Sequence, residues 1–214
     1  MSGRDVIHVL DGTSRPVYVP DEASGVAGLN DLTVDPDGHV VVGHLRFRPF
    51  AGEGPVPGEF VVASSDSGTT EVLGGVEWAN GCAFSPDGTV FYGCDYNRGV
   101  VLAADRRSDG TYGPGRVAVT SPSGAADGMA VDETGALWIA LGPSGSVGRF
   151  TPDGRLDAEV DVPAAFAASL CFGGSDGRDL FITTAGDLRA GDRAGAVFHT
   201  RVAVAGAPLT PATD

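Results

Sequence analysis

The sequence predicts an all-β protein built as a propeller of four-stranded blades. Three observations carry the prediction. First, 33 glycines and 14 prolines lie among short Val- and Thr-rich runs, the pattern of brief strands joined by tight turns. Second, no long window shows a helical stripe, and the Ala-rich stretch 164–168 is too short to stand alone as a helix. Third, one unit recurs: residues 31–43 (DLTVDPDGHVVVG), 81–93 (GCAFSPDGTVFYG), 128–140 (GMAVDETGALWIA) and, more loosely, 169–183. Turn glycines Gly38, Gly88 and Gly135 are 50 and 47 residues apart, close to the ~40–50 residues of a propeller blade.

In chain order, residues 6–10 and 16–19 read as an outer hairpin without inner strands. The unit from Trp78 to Asp95 is the clearest: a strand, a Pro86-Asp87-Gly88 turn that needs positive φ at Gly88, then Val90, Phe91 and Tyr92 in a second strand. Residues 97–105 and 115–120 supply a third and fourth strand. Residues 145–156 form a hairpin about another Pro-Asp-Gly turn and lead into residues 157–162. No linker or charge block interrupts the chain, so residues 1–214 read as one domain. At about 45 residues per blade, 214 residues supply fewer than five blades. An open ring leaves strand edges uncovered, which predicts self-association.

The net charge of −14, with every basic residue an arginine, argues against nucleic-acid and anionic-membrane partners. No apolar stretch reaches the ~18 residues of a membrane span, and the first residues carry no signal-peptide pattern. Cys82, Cys94 and Cys171 form no C-x-x-C pair and read as small buried hydrophobes of a reduced, cytoplasmic protein. Among candidate polar residues, Asn80 precedes Gly81 and Asp127 precedes Gly128. Turn roles are open to both. The glycine-rich run 142–148 precedes a strand, so it is no phosphate loop. The histidines at 8, 39, 44 and 199 lack a paired metal spacing.

The repeats resemble the SMP-30/gluconolactonase/luciferin-regenerating-enzyme family, which includes regucalcin. The matching segments are Asn30-Asp31 through Gly38, Asn80 through Gly88 with residues 91–95, and Asp127 through Asp132 with residues 135–140. Residues 169–174 with 180–184, and 195–198, also match. The resemblance implies a six-bladed propeller of which about four to five blades are present, the chain being N-terminally truncated relative to the family. It implies a lactonase or related ester hydrolase acting on a small lactone. It also implies one divalent cation, Ca²⁺, Mg²⁺, Mn²⁺ or Zn²⁺, with Ca²⁺ favoured. Asn80 and Asp127 become metal ligands, Asp127 the catalytic acid/base, and Asn30 a substrate contact.

Two departures stand out. The family's first-blade Glu ligand has no counterpart before Asn30; Glu53-Gly54-Pro55 has its letters in the wrong place. Where relatives carry an Arg two positions before the substrate Asn, this chain has Gly28. Arg46 and Arg48 downstream could supply that positive charge as substrate-binding residues. The alternative reading is a non-catalytic or metal-weakened propeller fragment acting as a binding protein.

Overall fold

A hairpin and four sheets follow one another along the chain in a computed structural model that describes residues 3–64, 68–186 and 195–213. The hairpin pairs β1 (Val6–Leu10) with β2 (Thr13–Tyr18). Blade I is β3 (Gly28–Val34), β4 (Val40–Leu45), β5 (Gly58–Ser64) and β6 (Gly68–Val76). Blade II is β7 (Ala79–Phe84), β8 (Val90–Asp95), β9 (Val100–Asp105) and β10 (Arg116–Thr120). Blade III is β11 (Met129–Val131), β12 (Leu137–Ala140), β13 (Ser146–Phe150) and β14 (Leu156–Asp161). Blade IV is β15 (Phe166–Gly173), β16 (Asp179–Ala185) and β17 (Val197–Arg201). Every sheet is an antiparallel meander in chain order. The first strands touch in succession, β3 to β7, β7 to β11 and β11 to β15, so they are the inner strands around a shared axis. The molecule is an all-β incomplete propeller, as expected. Among the described residues helical structure is confined to two short 3-10 turns, Glu22–Ser24 and Pro49–Ala51.

The core lies between blades. Val41, Leu45 and Phe60 of blade I pack on Phe91 and Leu102 of blade II. Phe60 and Phe91 are fully buried with ring centroids 5.2 Å apart, tilted edge to face. Val101 and Val119 of blade II meet Leu137, Ile139 and Phe150 of blade III. Trp138 and Val147 of blade III meet Leu170, Leu180 and Ile182 of blade IV. Each fully buried side chain of this size contributes about 1.5–3 kcal/mol, so blade-to-blade contact holds the array together. The hairpin docks through Val6 onto Leu29, Val42 and Val61 of blade I.

The turn between β7 and β8 forms as predicted, with Gly88 at φ 71°. In the matching turns of blades I and III, Asp35 accepts from His39 N at 2.8 Å and Asp132 from Ala136 N at 3.1 Å. Cys82 and Cys94 are buried on neighbouring strands and unbridged. Cys171 corrects the expectation of burial: it is exposed, because its part of β15 faces the central channel.

Candidate functional site

The inner strands all begin at one end of the channel, and those of blades I, II and IV are irregular there. In β3 the register slips between Asn30 and Leu32, leaving Asp31 outside the ladder. In β7 it slips between Ala79 and Cys82, around Asn80 and Gly81. In β15 it slips between Ala167 and Ser169. Such bulges re-aim side chains, and here they sit near the same step of blades I, II and IV. Asp31 adopts φ 52°, a left-handed conformation uncommon outside glycine that clusters at functional sites.

A belt of hydrogen bonds joins these steps. Asn30 Nδ2 donates to Ala79 O at 2.9 Å, Gly81 N to Asp127 O at 3.2 Å, and Gly128 N to Ala168 O at 2.9 Å. The two glycines permit the approach. A Cβ on Gly81 would stand 2.4 Å from Met129 N and 2.6 Å from Asp127 O, and one on Gly128 would stand 2.2 Å from Ser169 Oγ. At this same step blade I carries Asp31. The sequence placed Asp31 in a candidate pair with Asn30 but gave a role to Asn30 alone; the signal for Asp31 is a carboxylate where the next two repeats carry glycine.

Asn80 is buried and its side chain hydrogen-bonds Asp127. The Asp127 carboxyl is pushed up to about 7, first by burial and then by the negative charge of Asp31, with the bonds from Asn80 and the Gly128 backbone pulling the other way. Asp31 is solvent-accessible through the channel yet surrounded by protein, and this desolvation raises its pKa too. The buried Cys94 thiol is likewise raised, by burial and then by Asp127 and Asp31. No cationic side chain among the described residues is paired with Asp31 or Asp127. The result is a cluster of oxygen donors with uncompensated negative charge.

Below this cluster the channel holds a cavity of about 700 Å³. It is lined by inner-strand residues from Asp31 through Phe172 and by Gly206 to Thr210 of the C-terminal segment. Arg46 and Arg48 do not line it. Arg46 is held by Glu59 through Nε (3.0 Å) and Nη2 (2.7 Å) and by Ser24 O (2.7 Å). Arg48 is paired with Glu53. His44 is buried between Tyr18 Oη and Glu59 Oε1, each at 2.9 Å. This network fastens the hairpin and the Glu22–Ser24 turn to blade I. Asp35, Asp37 and His39 form another cluster of donor atoms, within 4.8 Å of one another, in the β3–β4 turn. There Asp35 Oδ1 is occupied by the amides of Asp37 and His39, and Asp37 is paired with Arg106.

Residues 2–186 match the SMP-30/gluconolactonase/LRE-like region. The chain is 32% identical over 187 residues to a 6-deoxy-6-sulfogluconolactonase of Pseudomonas putida, covering 83% of this chain and 63% of that protein. It is 34% identical over 193 residues to the pentonolactonase XacC of Haloferax volcanii, covering 84% and 64%. The chain thus spans under two thirds of the length of these relatives. A solved luciferin-regenerating enzyme superposes with a TM-score of 0.82 at 23% identity, over 97% of this chain and 75% of that one, which shows the shared fold. The match across most of the chain shows that the protein belongs to the SMP-30/gluconolactonase/LRE-like family.

Proposed function

We propose that this chain carries the reaction centre of a lactone hydrolase that works with one divalent cation. The observation that carries the reading is the convergence of Asn80, Asp127 and Asp31 at one end of the channel, with Asp127 pushed up to about 7 and no cationic side chain paired with either carboxylate among the described residues. The donor set fits a cation. An amide oxygen and carboxylates are hard ligands that suit Ca²⁺, Mg²⁺ or Mn²⁺, and a positive charge there would offset the repulsion between Asp31 and Asp127. Asn80 and Asp127 would hold the ion, with Asp31 beside them. When bound, a divalent cation polarises a carbonyl oxygen and acidifies water. The chain's own residues do the rest. Asp127 takes a proton from attacking water and returns it to the departing alkoxide. Asn30 spends one N–H on Ala79 O, which fixes its amide at the site, where its remaining polar atoms can meet the substrate. The names of the relatives, a sulfogluconolactonase and a pentonolactonase, support a sugar lactone as substrate. Arg46 and Arg48 stay outside this centre because Glu59 and Glu53 already hold them.

The test is proton release from a panel of five- and six-membered sugar lactones, with Ca²⁺, Mg²⁺ or Mn²⁺ and with chelator. Asp127→Ala is expected to lower kcat/KM by about 10²-fold or more, and Arg48→Ala by less than about threefold. A wild-type chain that hydrolyses no lactone under any of these conditions would overturn the reading. It would favour a binding protein.

A further inference from the structure

Asp95 ends β8 and is completely buried. Its Oδ2 accepts from Glu77 N at 2.8 Å and Arg98 Nε at 2.6 Å, and its Oδ1 from Arg98 N at 3.2 Å and Trp78 N at 3.4 Å. Arg98 also donates to Gly75 O at 3.0 Å. One carboxylate therefore gathers the amides of the arm entering β7 and the turn leaving β8. The arm is short: Glu77 and Trp78 lead through Ala79 directly to Asn80. Tyr96 N closes the same arm by donating to Trp78 O at 3.0 Å, and the Trp78 and Tyr96 rings pack 4.8 Å apart.

The sheet ladder does not fix Asn80 by itself. Pairing resumes only at Cys82, so Asn80 and Gly81 lie outside the β7–β8 register. Downstream they are tied by Gly81 N to Asp127 O; upstream they hang on Ala79, which pairs with Asp95 in the ladder and accepts from Asn30 Nδ2, and on the arm that leads into it. We propose that Asp95 is a positioning residue for the site: its carboxylate, braced by Arg98, sets the arm and thereby holds the Asn80 amide against Asp127. The inference rests on the reading of Asn80 as part of the reaction centre. A buried carboxylate accepting several N–H bonds is a strong and directional anchor, because each bond is charge-assisted and shielded from water.

The test compares Asp95→Asn with Asp132→Asn, a buried carboxylate in the blade III turn that has no link to Asn80. Asparagine keeps the size but turns one acceptor into a donor facing N–H groups. The first measurement is hydrogen exchange of the cation-free protein. Asp95→Asn is expected to speed exchange at the Glu77 and Trp78 amides by about tenfold or more while β12 keeps its wild-type protection. The second is calorimetric titration with Ca²⁺ alone, well below the melting temperature. Asp95→Asn is expected to weaken Kd by about tenfold, and Asp132→Asn to lower Tm with less than about threefold change in Kd. Unchanged exchange at Glu77 and Trp78, or exchange raised equally in all blades, overturns the proposal. So does wild-type Ca²⁺ affinity in Asp95→Asn. If the wild-type chain binds no Ca²⁺, the cation reading of the site fails, and the exchange measurement alone decides whether Asp95 sets the arm. Should Asp95→Asn not fold, Arg98→Ala, which keeps the carboxylate and removes its brace, takes its place with an expected three- to fivefold effect in the same measurements.

Discussion

Asp127 combines two properties that pull against each other. It is mostly buried, and it sits beside a second carboxylate, so its proton is held to about pH 7, whereas an unfolded Asp releases its proton near pH 4. Between those values the native state binds the proton that the unfolded chain has already released. In chelator, stability is therefore expected to fall as pH rises from about 4 to about 7, because fewer protons are bound in the unfolded state there. Denaturant titrations across that range measure it, and Asp127→Asn should flatten the slope. Asp132 shows the opposite sign. Burial raises its pKa, but bonds from Thr134, Trp138 and Arg149 outweigh that and hold it below the usual carboxylate range. It accepts from Trp138 Nε1 at 3.0 Å and Arg149 Nε at 2.8 Å. Its contribution is present above the unfolded pKa and lost as pH falls through the folded one. Removing it as Asp132→Ala would leave the Trp138 N–H without its acceptor and Arg149 with only Asp157 and Thr134 as partners, at an expected loss of about 2 kcal/mol in chemical denaturation.

At the scale of the element, the bulged start of the inner strands in blades I, II and IV is the unit that matters. A regular strand would alternate its side chains between neighbouring blades, whereas the slip at Asp31 and at Asn80–Gly81 turns polar groups toward the site. The belt from Asn30 to Ala168 then sets the blade spacing. Gly81→Ala would drive a methyl group into the Met129 amide and the Asp127 carbonyl, both backbone atoms at under 3 Å. It is expected to cost about 1–3 kcal/mol and to weaken cation binding through the displaced Asp127, as melting and Ca²⁺ titration of the variant would show. Gly52→Ala, where a Cβ meets open space although φ is 77°, should cost stability without touching cation affinity.

For the whole molecule, blade IV is linked back to blade I by the segment after β17. Ala205 O accepts from Glu133 N, Gly206 N donates to Gly177 O, Ala207 N to Val131 O and Thr213 N to Gly38 O. This strap passes from blade IV across blade III to the blade I turn and forms one wall of the channel cavity. Deleting residues 206–214 removes the cross-ring bonds at Ala207 and Thr213. Tm is expected to fall by several degrees, at roughly 2–4 °C per kcal/mol for a chain of this size. Calorimetric scans test this, with broadened unfolding expected as blade I uncouples from blade IV.

The repeats made much of this legible in advance. Turn glycines such as Gly88, strand runs such as residues 90–92 and the meander order are local, and local chemistry fixes them: only certain residues accept a left-handed turn, and β-branched or aromatic runs favour a pleated, half-buried surface. Asn30, Asn80 and Asp127 took their candidate roles from the family resemblance, since the residues alone left turn roles open. What the sequence determined was therefore the blade and its polar head. The tertiary structure decided which of those heads face one another, that Asp31 joins them where two sister repeats need glycine, and that Arg46 and Arg48 are spent on Glu59 and Glu53. It also decided that Asp95 serves the arm ahead of Asn80. These outcomes depend on pairing and burial between residues far apart in the chain, and burial is what turns an ordinary aspartate such as Asp127 into a group that titrates near neutrality.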